Sequence, residues 1–364
     1  MKKLTCILLS VLMLAGVFCS CSKPAQSSKT TSKSTVKTAK KMSKKELRNL
    51  IKYSDFRGVV YVTRDSKPIF RYSTGKTSNK NGKKENRDTA FAIGELTKQF
   101  TAAAILRLKE KGLLSLDDTI DLYFPDYKLG KQNTIHNLLS MRSGIPDYTF
   151  ETDTLVSKYG VKKHTRYAKN RSKIRKWIFE QDLNFKAGKH YQYSSSNYLL
   201  LSEIIEQVSG TNYGAYLRKQ FFKPLQMTRT GFLETYDLEG ENYAQPLKKT
   251  YDVMTYRGAA FGVGNIVSTA SDLSKWLDAL DGGQVVNPES FGQMISSYSD
   301  YTPYGYGYGL MIEQGGRYFH TGSIASCNAM VDVDKDSRVH LVMLSNTDAN
   351  KMTDLAKTIV TELG

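Results

Sequence analysis

The sequence predicts an α+β fold in which an antiparallel sheet is flanked by helices and a mostly helical lobe is inserted between its two halves. Three observations carry this prediction. Strand-like runs with turn signals cluster near both ends of the 364-residue chain, apolar residues at helical spacing fill its middle, and no repeat of solenoid length appears. A hydrophobic content of 40% and a mean hydropathy of −0.42 describe a globular body with a substantial core. They exclude wholesale disorder and a multi-span membrane protein.

The amino terminus reads as a targeting segment. Lys2 and Lys3 precede an apolar run from Leu4 to Phe18, too short for a comfortable spanning helix, so residues 1–20 are expected to be a cleaved export signal. Cys21 is similar to the lipidated cysteine of a bacterial lipoprotein, with Ser20 just before the cut, although Phe18 and Cys19 depart from the usual box. The expected location is extracytoplasmic, with the lipid on Cys21 as membrane anchor. Residues 21–45 then form a Ser/Thr/Lys-rich tether that has too little apolar surface to offset its ordering entropy. Residues 1–45 hold ten lysines and no acid, so +7 of the net +17 belongs to the rest of the chain. A basic tail beside an anionic membrane explains the excess, and no zinc finger or basic recognition helix points to nucleic acid. Only Cys327 remains in the globular part, which rules out an internal disulfide there.

The body, residues 46–364, opens after Ser43, which with Glu46 matches a capping box and starts a helix to about Tyr53. Runs Gly58–Arg64 and Pro68–Thr74, joined by Asp65-Ser66, predict a hairpin. From Glu95 the spacing of Phe100, Ala103, Ala104, Leu106 and Leu108 predicts a helix ending at Lys111-Gly112. The stretch from about Thr134 to Thr230 is mostly helical, within a lobe expected over 134–257. A helix Ser271–Leu280 capped by Ser271 and Asp272 follows. Strands are predicted at Tyr306–Glu313, Arg317–His320, Ala329–Val333 and Val339–Leu344, then a last helix from Met352 to Leu363. Asp332-Val-Asp-Lys-Asp336 begins like a calcium loop, but Ser337 and Met343 stand where glycine and glutamate are needed, so a hairpin turn is expected. Five histidines and one thiol show no metal-ligand spacing, and no metal or cofactor is expected.

Several segments together carry a family resemblance. Phe91-Ala-Ile-Gly-Glu-Leu-Thr-Lys-Gln99, Leu113–Asp118, Ile135–Asp147, Tyr193-Ser-Ser-Ser-Asn-Tyr198, Gly264–Leu273 and His320-Thr-Gly-Ser323 occur in that order. The chain thereby resembles the class C β-lactamase and DD-peptidase group of serine β-lactamases and penicillin-binding proteins. The resemblance implies that family's fold and its acyl-transfer chemistry. In the family a serine, weak at its own pKa, hands its proton to a lysine one turn away and a tyrosine, while two N–H groups hold the oxyanion. Carried across, Lys98 and Tyr193 are the relay and His320 replaces a common lysine. Thr321, Gly322 and Ser323 line the substrate strand, Ser323 N–H and residue 95 forming the oxyanion hole. Ser195 stands at a substrate-contacting position that often holds asparagine.

The pattern breaks at the nucleophile, where Ser-x-x-Lys becomes Glu95-Leu-Thr-Lys98. The remaining Ser-x-x-Lys strings begin at Ser20, Ser34 and Ser73, none opening a helix, and no Gly-x-Ser-x-Gly elbow exists. A carboxylate one turn from Lys98 is expected to pair with it, hold it protonated and crowd the oxyanion hole. Three functions follow as expectations. One is a cleft without serine acylation that binds or scaffolds cell-wall peptides or other small acyl ligands. Another is an active hydrolase, of esterase, peptidase or β-lactamase-like type, using Glu95 as a general base toward water. The third is a purely structural surface domain whose cleft is vestigial.

Overall fold

Helix α1 (Lys44–Tyr53) opens on the expected capping box: Ser43 Oγ accepts from the N–H of Glu46 at 3.3 Å, and Glu46 Oε2 accepts from the N–H of Ser43 at 2.7 Å. The computed structural model describes residues 41–78, 82–163, 166–240, 242–247, 253–256, 258–299, 303–313, 315–347 and 352–364. The export signal, Cys21 and most of the tether lie outside the described residues. Strands β1 (Val59–Arg64) and β2 (Lys67–Ser73) pair through Asp65 and Ser66, both at positive φ (50° and 60°), a turn whose twist matches that of the strands.

The chain passes through β3 (Ala90–Ala92) and one 3-10 turn at Gly94–Leu96 into α2 (Thr97–Glu110). Glu95 therefore sits on the 3-10 turn ahead of the α-helix, where the sequence suggested the helix itself would begin. The helical lobe supplies α3 (Ile135–Leu139), α4 (Thr152–Ser157), α5 (Tyr167–Phe179), α6 (Ser195–Ser209) and α7 (Tyr213–Leu217). Strands β4 (Gly231–Phe232) and β5 (Ile266–Thr269) return to β3, and α8 (Ala270–Asp281) follows at once. Its cap is Thr269, whose Oγ1 accepts from Asp272 N–H at 3.0 Å, in place of the Ser271 and Asp272 expected. Helix α9 (Pro288–Met294), strands β6 (Gly305–Tyr306), β7 (Met311–Glu313), β8 (Arg317–Ile324), β9 (Cys327–Asp334) and β10 (Val339–Ser345), and helix α10 (Met352–Leu363) complete the chain.

Seven strands form one antiparallel sheet in the order β2-β1-β10-β9-β8-β7-β6, and β3-β5-β4 form a smaller one. The period of two divides the large sheet cleanly. Val60, Val62, Met330, Leu341 and Met343 pack against α1 and α10 through Leu47, Ile51, Leu355 and Ile359. Val59, Tyr61, Ala329, Val331, Val342 and Leu344 face the larger core with α2 and the helical lobe. Helix α2 is buried on nearly every side: Phe100 stacks on Trp276 at 3.9 Å between ring centres, and Gln99 Oε1 accepts from Trp276 Nε1 at 2.6 Å. This axle and β8 enclose the site.

Candidate functional site

Two backbone segments approach so closely that side chains are excluded between them. Gly94 has φ +51°, and a Cβ there would lie 2.6 Å from the amide nitrogen of Ser323; a Cβ on Gly322 would lie 2.1 Å from the carbonyl oxygen of Ile93. That contact aims the Ser323 N–H at residue 95. Glu95 answers it: its Oε2 accepts from Ser323 N–H at 2.8 Å. The carboxylate thus occupies the space in front of the Ser323 N–H.

The expected ion pair between Glu95 and Lys98 does not form. Lys98 is fully buried, and its Nζ donates to Ser195 Oγ at 3.5 Å and lies 4.9 Å from the ring centre of Tyr193. Burial pulls the ammonium down to about 8, against the opposing pull of Glu95 and Asp147. Glu95 acts on Lys98 through space only, because its own reach is spent on Ser323, and burial outweighs the attraction. Ser195 is also placed differently from expectation. It is buried, with its N–H donated to Asp147 Oδ2 at 3.0 Å, and it lies beneath the cleft instead of lining it. Its side chain is shorter than asparagine and is taken up by Lys98.

Above this floor, Glu95, Tyr193, His320, Thr321, Gly322 and Ser323 line one cleft of about 760 Å³, with Tyr191, Met311 and Met352 among its other walls. Burial drives the Tyr193 phenol well above its ordinary range, and Glu95 and Asp147 push it further. His320 is buried; its Nδ1 hydrogen goes to the carbonyl of Thr321 at 2.5 Å, which leaves Nε2 to accept from Tyr306 at 3.3 Å. Burial and nearby Lys98 lower the imidazole to about 3, so it is neutral at physiological pH.

Sequence reasoning missed Tyr306 and Tyr191. The ring of Tyr306 meets Tyr193 at 5.9 Å and Tyr191 at 5.8 Å between centres, making it the brace between the lobe and β8. Its signal was the Tyr-Gly alternation of Tyr304–Gly309, where Gly309, at φ +72°, passes so near α2 that a Cβ would lie 2.7 Å from the carbonyl oxygen of Lys98.

Comparison with known proteins places the chain among relatives. The family model described as Beta-lactamase matches residues 46–363. The chain is 28% identical over 311 residues to the "Putative penicillin-binding protein PbpX" of Bacillus subtilis (strain 168), covering 84% of this chain and 74% of that protein. Several further curated relatives, at 25% identity, are longer, and the chain spans 57% of their length. Among solved structures, the octameric penicillin-binding protein homologue from Pyrococcus abyssi superposes with a TM-score of 0.77 at 24% identity, over 88% of this chain and 77% of that one. The D-amino acid amidase of Ochrobactrum anthropi SV3, complexed with L-phenylalanine amide, gives 0.73 at 22% identity over 88% and 96%. Both structures share the fold.

Proposed function

The chain belongs to the beta-lactamase family, and on that footing we propose that its cleft binds wall-peptide-like or other small acyl ligands without forming a serine acyl-enzyme. The observation that carries the reading is the hydrogen bond from Ser323 N–H to Glu95 Oε2. Acyl transfer in this family's manner needs a hydroxyl at position 95 and a vacant pair of N–H donors. Glu95 supplies neither, since attack by a carboxylate on an amide leaves an anhydride and its oxygen already takes the Ser323 N–H. Losing one oxyanion donor alone costs about 3–4 kcal/mol of barrier. Lys98, lowered to about 8, has no serine at position 95 to deprotonate. The anchor is part of the same proposal: lipid on Cys21 holds the domain outside the cytoplasmic membrane, and Cys21→Ala releases it into the soluble fraction.

The deciding experiment is covalent labelling. The protein incubated with a fluorescent β-lactam is expected to show no adduct by intact mass, whereas Glu95→Ser, with Lys98, Tyr193 and His320 still in place, is expected to gain one acyl group per chain. A stoichiometric adduct on the wild-type protein overturns the reading. A second reading draws support from Glu95 Oε1, which has no hydrogen bond among the described residues and borders the cleft. There the carboxylate takes a proton from water as a general base, and the D-amino acid amidase that shares the fold suggests amino-acid amides as substrates. Steady turnover of such amides that disappears in Glu95→Gln selects it over the first.

A further inference from the structure

The charges around the cleft indicate which ligands it admits. The Ser323 N–H, the donor that a ligand's carboxylate or oxyanion would seek, is already taken by Glu95. Among the described residues that line the cleft, Glu95 is the only one with a formal charge, since burial keeps His320 neutral. Lys98 lies below, fully buried and facing two acids, Glu95 and Asp147. Around Lys98 two carboxylates therefore stand against one ammonium, and the acid that lines the cleft keeps one oxygen, Oε1, without a hydrogen bond among the described residues. Around it stand the rings of Tyr191 and Tyr193 and the thioethers of Met311 and Met352. Aromatic faces attract cations, and thioethers adapt to apolar stems of varied shape.

We propose that the cleft takes ligands carrying a primary ammonium group on an apolar stem, with Glu95 Oε1 as counter-ion and the tyrosine and methionine side chains around the stem. The inference rests on the reading of the cleft as a ligand site without serine acylation, and it names the chemistry of the ligand. A free carboxylate is repelled by Glu95 and finds the Ser323 N–H already taken. A neutral amide forfeits the charge-assisted contact, worth about ten- to a hundred-fold in affinity.

Three probes of one shape separate the cases: phenethylamine, N-acetylphenethylamine and 3-phenylpropionate, titrated into the purified protein by calorimetry at neutral pH. The expected result is measurable binding of the amine and at least about ten-fold weaker binding of the other two. Glu95→Gln keeps an oxygen for Ser323 N–H while removing the charge and replacing Oε1 by an NH2 donor, so it should bring the amine down to the level of its acetyl derivative. Raising the salt concentration should weaken the amine and leave the acetyl compound unchanged. Equal or tighter binding of the acetyl or carboxylate probe to the wild-type protein overturns the amine assignment and leaves the binding cleft standing. Absence of binding by all three also overturns it. An adduct with β-lactam strikes instead at the reading beneath.

Discussion

At position 95 a single side chain changes the chemistry because of where its neighbours hold it. Glu95 follows Gly94, and the left-handed φ of +51° at Gly94 brings the 3-10 turn against β8. The glycine is required twice over. A side chain at that φ costs about 1–2 kcal/mol, and a Cβ would also press to 2.6 Å from Ser323 N. Gly94→Ala is therefore expected to lose more than about 2 kcal/mol of stability and, at this chain length, to melt at least roughly 4 °C lower. The same change pushes β8 away from Glu95, so the Ser323 amide should exchange its hydrogen faster. A variant that melts like the wild type, with the Ser323 amide equally protected, would show that the turn and strand are not in the contact described.

Elements differ in how much of them the sequence reveals, and the reason is the range of the interaction that defines each. The capping box of α1 and the hairpin of β1 and β2 are written within a few residues, and both form where the spacing predicts. The strands β9 and β10 alternate between two apolar faces, so their period of two is plain. Thr269 escaped notice as a cap because it closes β5, paired with Ala90, and caps α8 in the same step. The single strand expected over Tyr306–Glu313 is split between β6 and β7 by the chain's passage under α2 at Gly309, a contact no local pattern records. Within the site, the motif residues were readable by kind and order. The direction of Glu95 was not, because its choice between Lys98 and Ser323 is settled by a strand 228 residues away. Tyr306, one of 23 tyrosines, acquires its role only when β8 brings His320 to it.

Across the whole molecule, the large sheet is tied to α8 by a partly buried charge cluster that sets how stability responds to pH. His340, on the interior strand β10, donates from Nδ1 to Asp278 at 2.8 Å and from Nε2 to Asp281 at 3.0 Å, both on α8, the helix that leaves the smaller sheet. Tyr318 of β8 donates to the other oxygen of Asp281 at 2.7 Å. Hydrogen bonds and the two carboxylates outweigh burial and raise the imidazole to about 9 from its ordinary 6.5. A base whose folded value lies above its unfolded one contributes stability that is full below about 6.5 and is lost as pH climbs through about 9. His320 runs the other way: held down to about 3, it withdraws stability as pH falls from about 6.5. Lys98, lowered to about 8 from 10.5, favours the folded state increasingly above pH 8. Of these three bases, His340 alone acts between pH 6.5 and 8. Urea unfolding midpoints of the wild type and His340→Gln, followed from pH 6 to 9, should isolate it. The variant is expected to be less stable by about 3 kcal/mol at pH 6, as when one partner of a buried pair is removed, and the gap should narrow steadily toward pH 9. Two curves that stay parallel across that window would mean that the fold does not raise His340 above its ordinary range, and that the two carboxylates do not hold its charge.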